Sequence, residues 1–183
     1  GMGAGCNWTT GKYGNALYFD GVNDYVGTGN KMGLRPSGGF SVELWINPRN
    51  TGVTQGIVTK NAGPTTSGYQ WLCAISTTNS FQFYDNAAWR ESGLNASNNS
   101  WQHVVFQVND TGNVFRVAKN GVVGNWVAIS ALSSTTYNVF IGGGWSNVNY
   151  FNGTIDEVRI WNRTLSASEI NQLYMSNLQK YNS

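Results

Sequence analysis

Charge is scarce in this 183-residue chain: only 11% of residues are Asp, Glu, Lys or Arg, and eleven cations against nine anions leave a net charge of +2. The basic residues stand singly from Lys12 to Lys180. Nothing resembles the basic run or stripe that tracks a phosphate backbone, so nucleic acid is not an expected partner. No apolar run reaches the ~20 residues of a helical membrane span, and no charged-then-apolar signal segment opens the chain. A single histidine, His103, rules out a metal centre built on several histidines. Two cysteines are too few for a disulfide scaffold. Cys6 and Cys73 leave two readings open: a pair in an oxidising compartment, or a buried strand thiol with an unpaired one near the terminus.

What the chain does have is 40% hydrophobic and 14% aromatic residues with 23 glycines, enough for one sizeable core under a polar, nearly uncharged surface of Asn, Ser, Thr and Gly. Asn-x-Ser/Thr triplets start at Asn7, Asn95, Asn98, Asn109, Asn152 and Asn162. They suit a secreted surface, but Asn is so common here that chance supplies most of them.

Short β-type segments separated by Gly, Asn and Ser clusters recur at the spacing of sandwiches and barrels. They are Leu17–Asp20, Phe40–Asn47, Gly56–Thr59, Tyr69–Ile75, Ser80–Tyr84, Trp101–Asn109, Asn113–Asn120, Val139–Ile141 and Thr154–Asn162. Period-two alternation puts Phe40, Val42, Leu44 and Ile46 in the core, with Ser41, Glu43 and Trp45 on the other face. Likewise Val104, Phe106 and Val108 face inward, opposite His103 and Val105. Asn120-Gly121 predicts a type I′ hairpin returning through Val122.

One helix is signalled, at the end of the chain. Ser166 and Glu169 have capping-box spacing, Leu165 and Ile170 form a hydrophobic staple, and Ile170, Leu173 and Tyr174 make an apolar stripe. The predicted fold is all-β, a two-sheet antiparallel jelly-roll sandwich with one short C-terminal helix. Residues 1–183 read as one domain, expected to be a fragment of a larger surface or secreted protein.

Four stretches carry a family likeness: Gly11 to Val26, with Phe19-Asp20-Gly21 at its centre; Phe40 to Ile46; Trp101-Gln102-His103-Val104-Val105; and Phe151 to Trp161 with the Leu165–Tyr174 helix. In order and spacing the chain resembles the laminin-G-like, concanavalin A-like lectin and glucanase jelly rolls, in their bacterial or archaeal branch. Before Gly11 the family usually has a further strand and a Gly-rich segment, for which ten residues remain here. Asn120-Gly121 stands where the family often has Asp-Gly.

The resemblance implies a structural calcium ion, because many relatives hold one near the junction of the early Phe-Asp-Gly segment and the late Ile-Asp-Glu-Val strand. Asp20, Asn23, Asp24 and Asp156 supply the hard oxygens it prefers. Against this, Asp20 and Asn23 are equally suited to capping a tight turn. The aromatic surplus points to sugar, since a Trp or Tyr face stacks on the apolar C–H face of a ring. Trp71, Tyr84, Trp89, Trp126, Trp145 and Tyr150 are the candidates, lying in or beside loops rich in Asn and Gly. Trp45, Trp101 and Trp161 sit in the family-like strands and are expected to fill or seal the core.

Catalysis is disfavoured. Glycosidases of this superfamily carry Glu-x-Asp-x-x-Glu on one strand, which sets two carboxylates at the ~5 Å of a retaining mechanism. Neither Glu43 nor Glu157 has such a partner, Asp85 and Glu91 are expected at a solvated surface, and His103 reads as packing or hydrogen bonding.

The leading expectation is therefore a non-catalytic, lectin-like module that binds a glycan or polysaccharide in an extracellular or cell-surface protein. The alternative is a protein-interaction, adhesion or spacer domain, and a glycoside hydrolase or polysaccharide lyase comes third. A groove lined by two or more aromatics favours sugar; a contiguous apolar patch without a groove favours protein.

Overall fold

Alternating side chains with Gly and Asn at the turns give a strand-dominated chain in the computed structural model, which describes residues 5–28, 38–63, 68–133, 136–144 and 148–179. The strands are β1 (Asn7–Thr10), β2 (Asn15–Asp20), β3 (Val26–Gly27), β4 (Phe40–Pro48), β5 (Gln55–Asn61), β6 (Tyr69–Ile75) and β7 (Ser80–Tyr84). They continue with β8 (Trp89–Asn95), β9 (Gln102–Asn109), β10 (Val114–Lys119), β11 (Val122–Val123), β12 (Val127–Ala128), β13 (Asn138–Ile141) and β14 (Asn152–Trp161), before helix α1 (Ala167–Gln179). One antiparallel sheet runs β1-β2-β14-β4-β9-β10-β11, with β12 also on β10, and the other runs β3-β13-β5-β6-β7-β8.

All nine predicted strands are present. β8 was missed because Trp-Arg-Glu-Ser-Gly-Leu-Asn is too polar to read as a strand; it is the edge of its sheet, where polar residues are tolerated. β1 supplies the short strand before Gly11, pairing with β2 from Asn7 opposite Tyr18 to Thr10 opposite Asn15. Asn120 and Gly121 both have positive φ, 50° and 81°, and join Lys119 to its partner Val122 as a type I′ turn requires.

The core forms where the inner faces of the two sheets meet. Phe40, Val42, Leu44 and Ile46 lie in it as expected, with Val104, Phe106 and Val108 from the next strand. Aromatic pairs bridge the layers: Phe40 stacks on Trp71 with ring centroids 4.8 Å apart, Phe83 on Phe115 at 5.3 Å, and Phe81 meets Phe106 edge-on at 5.8 Å. Fully burying one such ring stabilises the fold by about 1.5–3 kcal/mol.

The opposite face of β4 is buried too, because α1 covers it. Ser166 and Glu169 close the capping box, with the Ser166 amide 2.8 Å from Glu169 Oε2 and the Glu169 amide 3.2 Å from Ser166 Oγ. Leu165 and Ile170 then pack on Val105 and Ala118 of the eight-stranded sheet, and Tyr174 stacks on Trp45 at 5.9 Å. The link into the helix is anchored by side chains that alternation alone would have left in water. Gln107 Nε2 donates to the Leu165 carbonyl at 2.8 Å, and Ser41 Oγ donates to the Arg163 carbonyl at 2.8 Å.

Candidate functional site

Because Cys73 and Phe83 point into the core, their strand neighbours Leu72 and Tyr84 must point outward. The register sets Leu72 opposite Tyr84 and Tyr84 opposite Trp89, so one row crosses β6, β7 and β8 on the outer face of the six-stranded sheet. Tyr69 joins the row: its ring meets Tyr84 edge-on at 5.9 Å, and Tyr84 lies 5.1 Å from Trp89 at 51°. Tyr69, Leu72, Tyr84 and Trp89 line a cleft of about 140 Å³. Trp89 remains 37% exposed, so an aromatic face is presented to solvent at a sheet edge.

Polar groups flank this cleft on two sides of the sheet. On the same face, one row along, Gln82 stands opposite Glu91 and donates its amide to that carboxylate. On the inner side Arg90 stands opposite Phe83 and turns back to Asp85, Nε to Oδ2 2.9 Å. Asp85 also accepts from the amides of Ala87, Ala88 and Ser130 at 3.0, 2.7 and 2.8 Å. Burial pushes its carboxyl up, but these four donors outweigh burial and hold it at about 2. Asp85 was expected at a solvated surface beside Glu91; it is instead a buried staple that shapes the turn leading into Trp89.

The other aromatic candidates lie elsewhere. Trp71 is fully buried between Phe40 and Phe83, which corrects its placement at a binding face. Tyr150 is buried, and burial together with the nearby Tyr25 pushes its hydroxyl pKa up. Trp126 is 40% exposed but stacks on the Arg116 guanidinium at 4.3 Å. That guanidinium bonds Gln107 of the eight-stranded sheet, and Trp126 does not line the cleft at Trp89. Trp145 lies outside the described residues. Tyr84 and Trp89 are thus brought together, Glu91 joins their face through cross-strand register, and Tyr69 joins through its ring contact with Tyr84, none of which one-strand reasoning could supply.

A second cleft, of about 210 Å³, opens where α1 docks, between Trp161, Leu165 and Leu173, with Arg163 and Glu169 paired at 2.6 Å on its rim. It is the seam of the helix packing.

The expected calcium ligands fall into two groups. Asp24 is buried, accepts the Asp20 amide through Oδ2 at 2.9 Å and has no hydrogen-bond partner for Oδ1 among the described residues. Burial, and then the charge of Asp20, pushes its carboxyl up. Asp20 Oδ1 caps its own turn through the Val22 amide at 2.8 Å, and Asn23 is exposed. Asp156 is engaged by the Tyr13 and Glu157 amides at 2.9 and 2.8 Å. It lies four residues along β14 from Asn152, the partner of Asp20, a separation of roughly 13 Å at 3.3 Å per strand residue. The four residues therefore do not fit a single ion, and among the described residues no three His, Cys, Asp or Glu side chains converge. Both cysteines are unpaired, Cys73 in the core and Cys6 with its Sγ 3.5 Å from the Tyr25 carbonyl.

The architecture has many solved counterparts. Domain 4 of AbnA, a GH43 extracellular arabinanase from Geobacillus stearothermophilus, solved with arabinotriose, superposes with a TM-score of 0.71 at 19% identity, over 93% of this chain and 82% of that one. Trypanosoma rangeli sialidase, in complex with the inhibitor DANA, gives 0.66 at 16% identity over 92% of this chain and 29% of the enzyme. A structure of botulinum neurotoxin type C, a toxin whose cell entry depends on interaction with two ganglioside molecules, gives 0.69 at 14% over 97% of this chain and 46% of that one. The chain thus spans less than half of the sialidase and toxin chains. No curated protein matches the sequence. A model of the concanavalin A-like lectin/glucanase superfamily, in its laminin-G-like branch, matches residues 20–171, and the chain belongs to that superfamily.

Proposed function

We propose that this domain is a non-catalytic carbohydrate-binding module of an extracellular or cell-surface protein, and that it binds glycan on the outer face of β6, β7 and β8. The carrying observation is the cleft in which Tyr69, Tyr84 and Trp89 come together at a sheet edge. Three aromatics in a groove match the apolar face of a sugar ring better than the broad patch a protein partner requires.

The non-catalytic part is supported by the carboxylates. Among the described residues no acidic side chain lines the aromatic cleft, and Glu169 is the one acid at the helix seam, already paired with Arg163. Asp20 and Asp24 do meet, but they line neither cleft. Kinship of fold with a domain of an extracellular arabinanase, solved with arabinotriose, agrees with both the ligand class and the location.

A glycan array followed by titration calorimetry, each with and without calcium, tests this reading. Saturable binding that Trp89→Ala weakens about tenfold or more, while the variant keeps its circular-dichroism spectrum, is the expected result. Absence of binding under both conditions sinks it.

A further inference from the structure

The chemistry around the aromatic row also bears on which glycans fit, and this inference rests on the carbohydrate-binding reading above. Glu91 shares the outer face with Trp89, two residues along β8, and its carboxylate is exposed with one oxygen engaged by Gln82. An ionised carboxylate only accepts hydrogen bonds, so beside an aromatic platform it offers acceptor sites to sugar hydroxyls and repels a second carboxylate. No cation among the described residues lines the cleft to offset that bias. Arg90, the nearest cation along the strand, stands opposite core-facing Phe83 and is paired with Asp85. Lys119 is held at the far end of β8, by the Asn95 carbonyl and Ser97.

We infer that the β6–β8 face selects neutral glycans, with the ring's C–H face on Trp89 and Tyr84 and a hydroxyl donated to Glu91, and that it rejects chains bearing uronic or sialic acid. A carboxylated sugar seated on Trp89 would bring two like charges together with no cation between them, which costs affinity in proportion to their desolvation.

The test is calorimetry at low salt on the wild-type chain, Trp89→Ala, Glu91→Gln and Glu91→Lys. The probes are arabinotriose and an array of neutral oligosaccharides against polygalacturonate and sialyllactose. The expected pattern is saturable binding of a neutral probe only, weakened about tenfold or more in Trp89→Ala. Glu91→Gln weakens the same probe by a smaller factor, and Glu91→Lys brings measurable binding of an acidic probe that fades with added salt. Tighter binding of polygalacturonate or sialyllactose than of any neutral probe, dependent on Trp89, would overturn the neutral assignment and leave the glycan site standing. Binding indifferent to Trp89, or none to any probe, would overturn the site itself and the assignment with it.

Discussion

His103 Nε2 lies 3.2 Å from Glu43 Oε1 across β9 and β4, with both side chains 1% exposed beneath α1. Arg159 Nη1 shares the same oxygen at 3.1 Å, and Trp161 Nε1 donates to Oε2 at 3.0 Å. Burial by itself raises the Glu43 carboxyl, yet the hydrogen bonds from His103 and Trp161, with the charges of His103 and Arg159, hold it below its ordinary value of 4.5. A carboxyl with a depressed folded pKa contributes its full stabilisation above the ordinary value and loses it as pH falls through the folded one. Glu43→Ala, which strands the buried donors, is expected to cost about 3–5 kcal/mol at pH 7. Urea denaturation should find that gap shrinking below pH 4.5.

Lys60 offers the opposite case. It stands opposite Trp71 and Val139 on the core side of β5, fully buried, and its Nζ has no hydrogen-bond partner among the described residues. Desolvation lowers its pKa from the ordinary 10.5. A base with a lowered folded pKa destabilises the fold as pH drops below its unfolded value, because the unfolded chain binds the proton more tightly. Lys60→Met keeps the stem and removes the amine. It should raise stability by about 1–3 kcal/mol at pH 7, with the charge-linked part of the gain fading as pH rises toward 10.5. An unchanged unfolding midpoint would count against this account of Lys60.

These two residues also mark how far the sequence alone could be read. Alternation identified the faces of β4 correctly, and the capping box and the Asn-Gly turn are local devices whose partners lie within a few residues. What alternation could not say is that the face carrying Ser41, Glu43 and Trp45 is covered by a helix more than a hundred residues later. The binding face was legible only in part for the same reason. Tyr84 and Trp89 were identified, but Trp71 sits in an equally aromatic setting and points the other way, while Glu91 joins the site through pairing between strands and Tyr69 through its ring contact with Tyr84. Aromatic content is a property of residues, whereas a platform is a property of register, and a one-residue slip exchanges the two faces.

Trp71 and Trp89 therefore make a diagnostic pair. Trp71→Phe keeps a ring against Phe40 and Phe83 but removes volume from a close-packed core, so unfolding should occur earlier by about 1–3 kcal/mol. At temperatures where the variant is folded, its affinity for any glycan bound by the wild type should be unchanged. Trp89→Ala, at a partly exposed edge, should do the reverse, with little change in stability and loss of binding. Calorimetry and chemical denaturation on the same two samples separate the roles, and loss of binding in a folded Trp71→Phe would contradict them.

Asp85 links stability to the binding face. Its carboxylate ties the 85–88 turn to the Ser130 amide and to Arg90, immediately next to Trp89 in sequence. With the folded pKa at about 2 against an ordinary 3.8, the difference corresponds to about 2–3 kcal/mol of stability at neutral pH. The sign follows from the depression: the contribution is complete above pH 3.8 and is lost as pH falls toward 2. Asp85→Asn keeps the shape but removes the charge that Arg90 and three amides converge on, so the wild type should exceed the variant in stability by that amount at pH 7 and approach it near pH 2. Because the same turn aims Trp89, the variant should also bind glycan more weakly at pH 7 while still folded. If Asp85→Asn lowered stability without touching affinity, the turn would be a staple of the fold with no part in holding the aromatic platform.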